Sequence, residues 1–321
     1  MCPIALGVAA WLTDTGVGIA ELARTVEEAG LESLFLTEHS HVPTSRVDLV
    51  AGDRPGEDAR LLDQFTALGA AAACTSRLRL GTGICIVPQH DPIALAKQVA
   101  TIDHVSNGRT VVGLGSGWFA MEFESYGLPF PPVKDRLQAL DETAAALKRL
   151  WTEPSVTFEG AHVTLRDAIS EPKPVRRPPI LIGGGGEKVL MGIVARHADI
   201  WNNMGVAQAA LASKIEALRR RCDDVGRDFA TLEVSQQCLV VIAANETAAR
   251  EALGKAVKIY GGHMGGGLEE HGIWGTPAQV IERIERHRAL GCTHFVIELF
   301  GRDTREPARL FAEQVLPAFR K

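Results

Sequence analysis

Apolar positions along this chain follow two alternating periods. Short apolar runs at residues 4–8, 33–37, 78–86, 110–115, 180–183, 199–202, 232–242 and 294–299 have the length of buried strands. Between them lie stretches with helical spacing. Residues 19–29 put Ile19, Leu22, Ala23 and Val26 on one face and stop at Gly30. Residues 61–74, 92–105, 134–151, 207–225, 247–259, 277–290 and 306–319 repeat that pattern, and another helix is expected to start at Glu187. Strands that alternate with helices imply right-handed βαβ units and a parallel sheet. Eight such units predict an α/β fold, a closed (β/α)8 TIM barrel with insertions. An open doubly wound sheet is the alternative. Residues 155–165 read as a hairpin insertion, and the Gly/His-rich residues 260–274 as a loop insertion. No linker or shift in composition divides residues 1–321, so one domain is expected.

The fifth strand runs into Gly183-Gly184-Gly185-Gly186 ahead of the expected helix. A strand that passes through glycines into a helix leaves bare N–H groups beside a helix N-terminus, which favours an anion such as phosphate. A tight turn needing positive φ would explain one of these glycines. The third strand carries Gly81 and Gly83 within an apolar stretch, a mark of a bulge or of close backbone approach. After the fourth strand comes Gly113-Leu114-Gly115-Ser116-Gly117-Trp118. It falls short of a dinucleotide fingerprint, because Trp118 stands where the third glycine belongs and prolines follow before any helix. It reads as a loop that sets Ser116 and backbone donors near an anion, with Trp118 as a wall, or as a glycine turn with Trp118 in the core.

The second strand ends in Thr37-Glu38-His39-Ser40-His41. His39 suits a general acid or base, since histidine exchanges protons near physiological pH. His39 and His41 could also form a metal pair, or His39 could simply hydrogen-bond at a loop. A metal needs more ligands from other strand ends, which offer glycines, Trp201-Asn202-Asn203 and, of acids, Glu298, so no metal is expected.

The 321 residues are 46% apolar with a net charge of −5 and no basic run, which argues against a nucleic-acid partner. The 6 cysteines form no C-x-x-C pair, which points to reduced thiols and a cytoplasmic protein. The N-terminal stretch reads as a first strand rather than a signal peptide, and no segment is apolar for long enough to span a membrane.

Taken in order, these strand ends resemble the luciferase-like monooxygenase superfamily, and within it the coenzyme F420-dependent oxidoreductases. The matching runs are Leu36-Thr37-Glu38-His39, Leu78-Arg79-Leu80-Gly81-Thr82-Gly83, Asp91-Pro92 with residues 97–103, and Gly108-Arg109. Then come Gly113 to Trp118 with Glu122-Phe123, Pro179 to Gly186, Ala198-Asp199-Ile200-Trp201-Asn202, and Gly275-Thr276-Pro277-Ala278-Gln279-Val280. The resemblance implies a flavin or deazaflavin at the C-terminal ends of the strands. It implies that Gly83 and Ile84, through a bulge with a non-proline cis peptide, cradle the ring. Ser116, Gly117 and Gly183 to Gly186 would bind the ribityl phosphate, and His39 would lie near the reactive ring carbon. Relatives often carry an acid or amide in the fourth-strand loop where this chain has Trp118 or Met121. Members are commonly dimers, so a homodimer acting on a small-molecule substrate is expected.

The function that follows is hydride transfer between coenzyme F420 and a small organic substrate. An FMN-dependent monooxygenase and a catalytically silent flavin-binding barrel are the alternatives. The substrate pocket is expected from Trp11, His41 and Trp118, with the loops over residues 41–58, 118–131 and 260–274.

Overall fold

The computed structural model describes residues 4–41, 60–260, 267–301 and 304–320. Eight parallel strand positions close on themselves. They are β1 (Ala5–Ala10), β2 (Ser33–Leu36), β3 (Arg79–Thr82) continued by β4 (Cys85–Ile86), β5 (Thr110–Gly115), β8 (Ile180–Gly183), β9 (Ile200–Asn203), β10 (Glu233–Ile242) and β12 (His294–Leu299). Closure is visible in the register: Val8 pairs with both Leu34 and Ile297, and Gln236 pairs with Asn203 on the far side. Each β-α unit is punctuated by its own sequence. Helix α1 (Ile19–Glu28) buries Ala23 and Val26, and Gly30 turns the chain at φ +79°. Asp91 accepts the Ile93 and Ala94 N–H groups to open α3 (Pro92–Ser106), which ends at Asn107 in the left-handed region. Thr276 and Gln279 form a capping box on α10 (Pro277–Ala289).

Two apolar layers result. The outer one lies between the strands and helices such as α2 (Gln64–Cys74) and α5 (Val133–Thr152). The inner one fills the barrel with Phe35, Val111, Leu181, Ile200 and Val296, against Ala9 and Ile84. Glycine makes room for it. A methyl group added at Gly81 would fall 2.4 Å from the Phe35 ring, and one at Gly115 would fall 2.4 Å from Ile84.

The hairpin is antiparallel, β6 (Val156–Glu159) against β7 (Thr164–Ala168), and so runs past residue 165. The segment 260–274 is not all loop. Residues 261–266 lie outside the described residues. Beyond them come α9 (Leu268–His271) and β11 (Ile273–Gly275), which adds to the edge of β10 through Val240–Ile273 pairing. Trp274, its side chain between Arg250 and Arg283, explains why a strand forms there: it packs with Leu239, Val241 and Leu253 into a second apolar cluster. Among the described residues no helix is long and apolar enough to cross a membrane.

Candidate functional site

The C-terminal ends of the barrel strands gather the chemistry, as barrel geometry requires. Between β3 and β4 the strand breaks at Gly83–Ile84, and that peptide bond is cis. The break turns the Ile84 side chain inward, over Gly113 and Gly115 and towards Gly183. Ile84 and three glycines from β5 and β8 therefore form one smooth floor. Glu38 braces the break from the neighbouring strand end. Its carboxylate accepts the Ile86 N–H at 2.5 Å and contacts His90 Nε2 at 2.9 Å. The Cys85 thiol lies within reach of the same two side chains, so the three offer donor atoms within 4.8 Å of one another. Both Glu38 oxygens are already committed, and burial followed by the Glu38 charge pushes the Cys85 thiol well above its usual range. Glu38 and His90 work as a hydrogen-bonded strut beneath the floor, with the Cys85 thiol beside them.

The four glycines have different reasons. Gly184 has φ +121°, so it needs a residue without a side chain. A methyl at Gly185 would stand 2.7 Å from Lys214 Nζ. At Gly183 and Gly186 an added methyl would meet nothing closer than 3.7 Å and 3.5 Å. Those two positions leave open backbone rather than room for a neighbour. The Gly184 N–H donates to the Asn202 carbonyl, while Gly185 and Gly186 N–H make no hydrogen bond among the described residues. The helix expected from Glu187 begins later, at α6 (Leu190–His197), because Gly186 O accepts the Met191 N–H in a wide turn first. The unbonded N–H groups are therefore those of the loop itself rather than of a helix end.

On β5 the Ser116–Gly117 corner is held from behind. Arg136, buried at the start of α5, donates to the carbonyls of Ser116, Gly117 and Pro131 and lies over the Phe130 ring.

His39 stands across the mouth. Its Nδ1 is 2.9 Å from Glu122 Oε2, and the other Glu122 oxygen accepts from Ser40 N–H and Oγ. Glu122, on the short helix α4 (Ala120–Ser125), is fully buried. Burial works against its charge, but the bonds from His39 and Ser40 prevail and hold its carboxyl below the ordinary carboxylate range. Trp11 stacks on His39 with centroids 5.6 Å apart, and Trp118 meets it edge-on at 6.1 Å. Trp118 is half exposed and stacks on Phe119, so it is a wall and not a core residue. His41 packs against Tyr126 instead. The rest of the expected pocket loop, 42–58, lies outside the described residues. Further round, Asn202, Ser235, Gln237 and Glu298 form a polar layer. Ser235 Oγ donates to Asn202, and Gln237 Nε2 donates to Glu298 at 2.9 Å.

Sequence patterns bring His39, Trp11 and Trp118 together, and the bulge with the fifth-strand glycines. They include Glu122 in a matching run without giving it a role, and they miss Arg136 and Lys214. Glu122 directly follows Met121 in the loop where relatives often carry an acid, which was the available signal. Lys214 gives none, since a lysine on a helix face is commonplace.

The strands close into a parallel (β/α)8 barrel whose C-terminal end is open and lined with glycines. Residues 10–269 match the luciferase-like monooxygenase family, and the chain belongs to it. An uncharacterized protein of Mycobacterium tuberculosis is 37% identical over 201 residues, covering 61% of this chain and 70% of that one. An F420-dependent glucose-6-phosphate dehydrogenase of Nakamurella multipartita is 27% identical over an alignment of 343 residues, covering 99% and 97%. An FMNH2-dependent dimethylsulfone monooxygenase of Pseudomonas putida is 27% identical over 282 residues, covering 75% and 77%. An F420-dependent secondary alcohol dehydrogenase shares the fold at a TM-score of 0.80, with 22% identity and all of both chains covered.

Proposed function

We propose that this protein is an oxidoreductase that moves a hydride between a deazaflavin of the coenzyme F420 type and a small organic substrate. The observation that carries this reading is the His39–Glu122 pair facing a glycine-lined mouth. The mouth fits such a cofactor: Gly183 and Gly186 leave a cradle that a side chain would fill, and Gly185 and Gly186 offer N–H groups without partners among the described residues. F420 is placed before FMN because the F420-dependent relative aligns with 99% of the chain and the FMNH2-dependent one with 75%.

When bound, the deazaflavin supplies the carbon that accepts or gives the hydride. The chain supplies the rest. The loop amides and the Ser116–Gly117 corner would hold the phosphate, and Ile84 would support the ring. Trp11 and Trp118 keep water from His39. With Nδ1 committed to Glu122, His39 presents Nε2 to the substrate. There it takes the hydroxyl proton when an alcohol is oxidised and returns it when a carbonyl is reduced. The adjacent carboxylate stabilises the imidazolium that forms.

The second reading, an FMN-dependent monooxygenase, is supported by the Pseudomonas putida relative. Titration separates the two. Saturable binding of F420, read by its single main visible band and its fluorescence, supports the first. Binding of FMN alone, with its two-band yellow spectrum and oxygen consumption, sinks it. Binding of neither leaves a catalytically silent barrel.

A further inference from the structure

Helix α7 (Leu211–Asp224) buries Leu211, Ile215, Leu218 and Cys222 along one stripe. Lys214 lies at the edge of that stripe, so the packing that seats the helix also delivers its ammonium to the glycine loop. Nζ donates to Gly185 O at 2.6 Å, and its side chain is only 13% exposed. Among the described residues the nearest carboxylate is Glu187, 3.9 Å away on a side chain that is 53% exposed. An ammonium has three protons to donate, and one carbonyl uses one of them. A largely desolvated cation beside unbonded amides is an arrangement that an anion completes. Gly185 also makes sense in this light: any side chain there would displace the ammonium, 2.7 Å from the added methyl.

We propose that Lys214 is a phosphate-binding residue, which turns the glycine loop from a neutral cradle into a charged one. The proposal rests on the reading of the mouth as a cofactor site. Its direct action is on the phosphate and not on the ring. A phosphate oxygen takes the protons that Gly185 O leaves free, next to the Gly185 and Gly186 amides. Bound in this way, the anion neutralises Lys214 and is screened by added salt in proportion.

The test compares ligands with and without the phosphate. Wild type, Lys214→Met and Lys214→Arg are titrated by fluorescence with F420 and with its phosphate-free ribityl deazaflavin, then with FMN and riboflavin. Lys214→Met should weaken the phosphate-bearing member of the bound pair about 10- to 100-fold. It should leave the phosphate-free member within about threefold, and Lys214→Arg should recover most of the loss, because the charge is kept. Equal weakening of both members means that Lys214 only props the loop, and overturns the proposal. A thermal-shift titration with inorganic phosphate and pyrophosphate keeps the two readings apart. Stabilisation of wild type but not of Lys214→Met, in a protein that binds no deazaflavin or flavin, retains the anion site and discards the cofactor reading. No difference between the two proteins with any of these ligands overturns the role of Lys214.

Discussion

Two histidine–glutamate pairs sit at opposite ends of the barrel. At the mouth, His39 Nδ1 meets Glu122 at 2.9 Å. At the floor, His294 Nδ1 lies 3.1 Å from Glu233 Oε1, close enough to pair as ions but off the line of a full hydrogen bond. In both, burial opposes the carboxylate charge, and the histidine, helped by Ser40 at Glu122 and by the Arg79 charge at Glu233, outweighs it, so both glutamates are held below the ordinary range. The surroundings differ. His294 is fully buried, with its other ring nitrogen 3.1 Å from Ser33 Oγ. Ser33 itself occupies the space that a side chain at Gly7 would need. His39 has no second hydrogen bond among the described residues, and its ring is walled by two tryptophans at an open end. The same two residue types thus form a closed fastening in one place and, in the other, a pair whose second ring nitrogen has no hydrogen bond among the described residues, as the proposed proton carrier requires. What separates them is whether the second nitrogen is spoken for.

The largest effect that could break this contrast is at the mouth. His39→Ala should lower kcat by about 10²–10⁴ while cofactor affinity changes little, because the proposed phosphate donors lie on other strands. Single-turnover hydride transfer with a known substrate measures it. Near-equal rates would reduce His39 to a wall residue and leave the proton to water.

The floor pair should show the reverse. His294→Ala leaves a cavity and strips Glu233 of its partner, so it should remove about 2–4 kcal/mol of stability. Chemical denaturation reads the loss, and kcat per folded molecule should hold. A large fall in kcat without a fall in stability would mean that the floor and mouth are coupled through the barrel.

Glu122→Gln tests the mouth pair from its other side. An amide can still meet His39 but cannot stabilise an imidazolium, so kcat should fall about 10- to 100-fold with KM nearly unchanged. Stability should change with pH in a defined direction. The Glu122 carboxyl titrates below its ordinary 4.5 in the folded protein. Its stabilising contribution is therefore present above that pH and is lost as pH falls through the folded value. Acid melts of wild type and Glu122→Gln should converge at the acid end; a constant gap would show that the charge on Glu122 contributes nothing.

How much of this could be read beforehand differs between the two ends. The barrel itself is legible because strand and helix periods are local properties: all eight barrel strands overlap the apolar runs. The break at Gly83–Ile84 is legible because a glycine stands out in an apolar stretch. The start of α6 is not, because Glu187-Lys188-Val189 has ordinary helix-forming residues while the turn is imposed by the Gly186–Met191 bond. Neither histidine pair is legible. His39 and Glu122 lie 83 residues apart and His294 and Glu233 lie on separate strands, β12 and β10, so only the folded barrel makes each pair neighbours. Gly115 catches the eye as part of a phosphate-like motif, yet its direct reason is the Ile84 side chain.

The smallest effect concerns a carboxyl that has no histidine. Glu298 faces the mouth from β12, one step along the strand face from Val296, and its bonded partner is the neutral Gln237 amide. With no cation beside it among the described residues, burial prevails over that single bond, and the Glu298 carboxyl is pushed above its ordinary 4.5. The sign is opposite to that of Glu122. A raised carboxyl carries no penalty at low pH, where the folded and unfolded states both hold the proton. Folded stability then falls relative to a neutral side chain as pH climbs past 4.5 towards the folded value. Glu298→Gln, which keeps the shape and removes the charge, should match wild type near pH 4 and melt on the order of 1–2 °C higher at pH 8. Thermal melts across that range check it. A variant less stable than wild type at pH 8 would mean that Glu298 is ionised and partnered, and the rule drawn from the two pairs, that a histidine decides which carboxyl keeps its charge, would fail at the mouth.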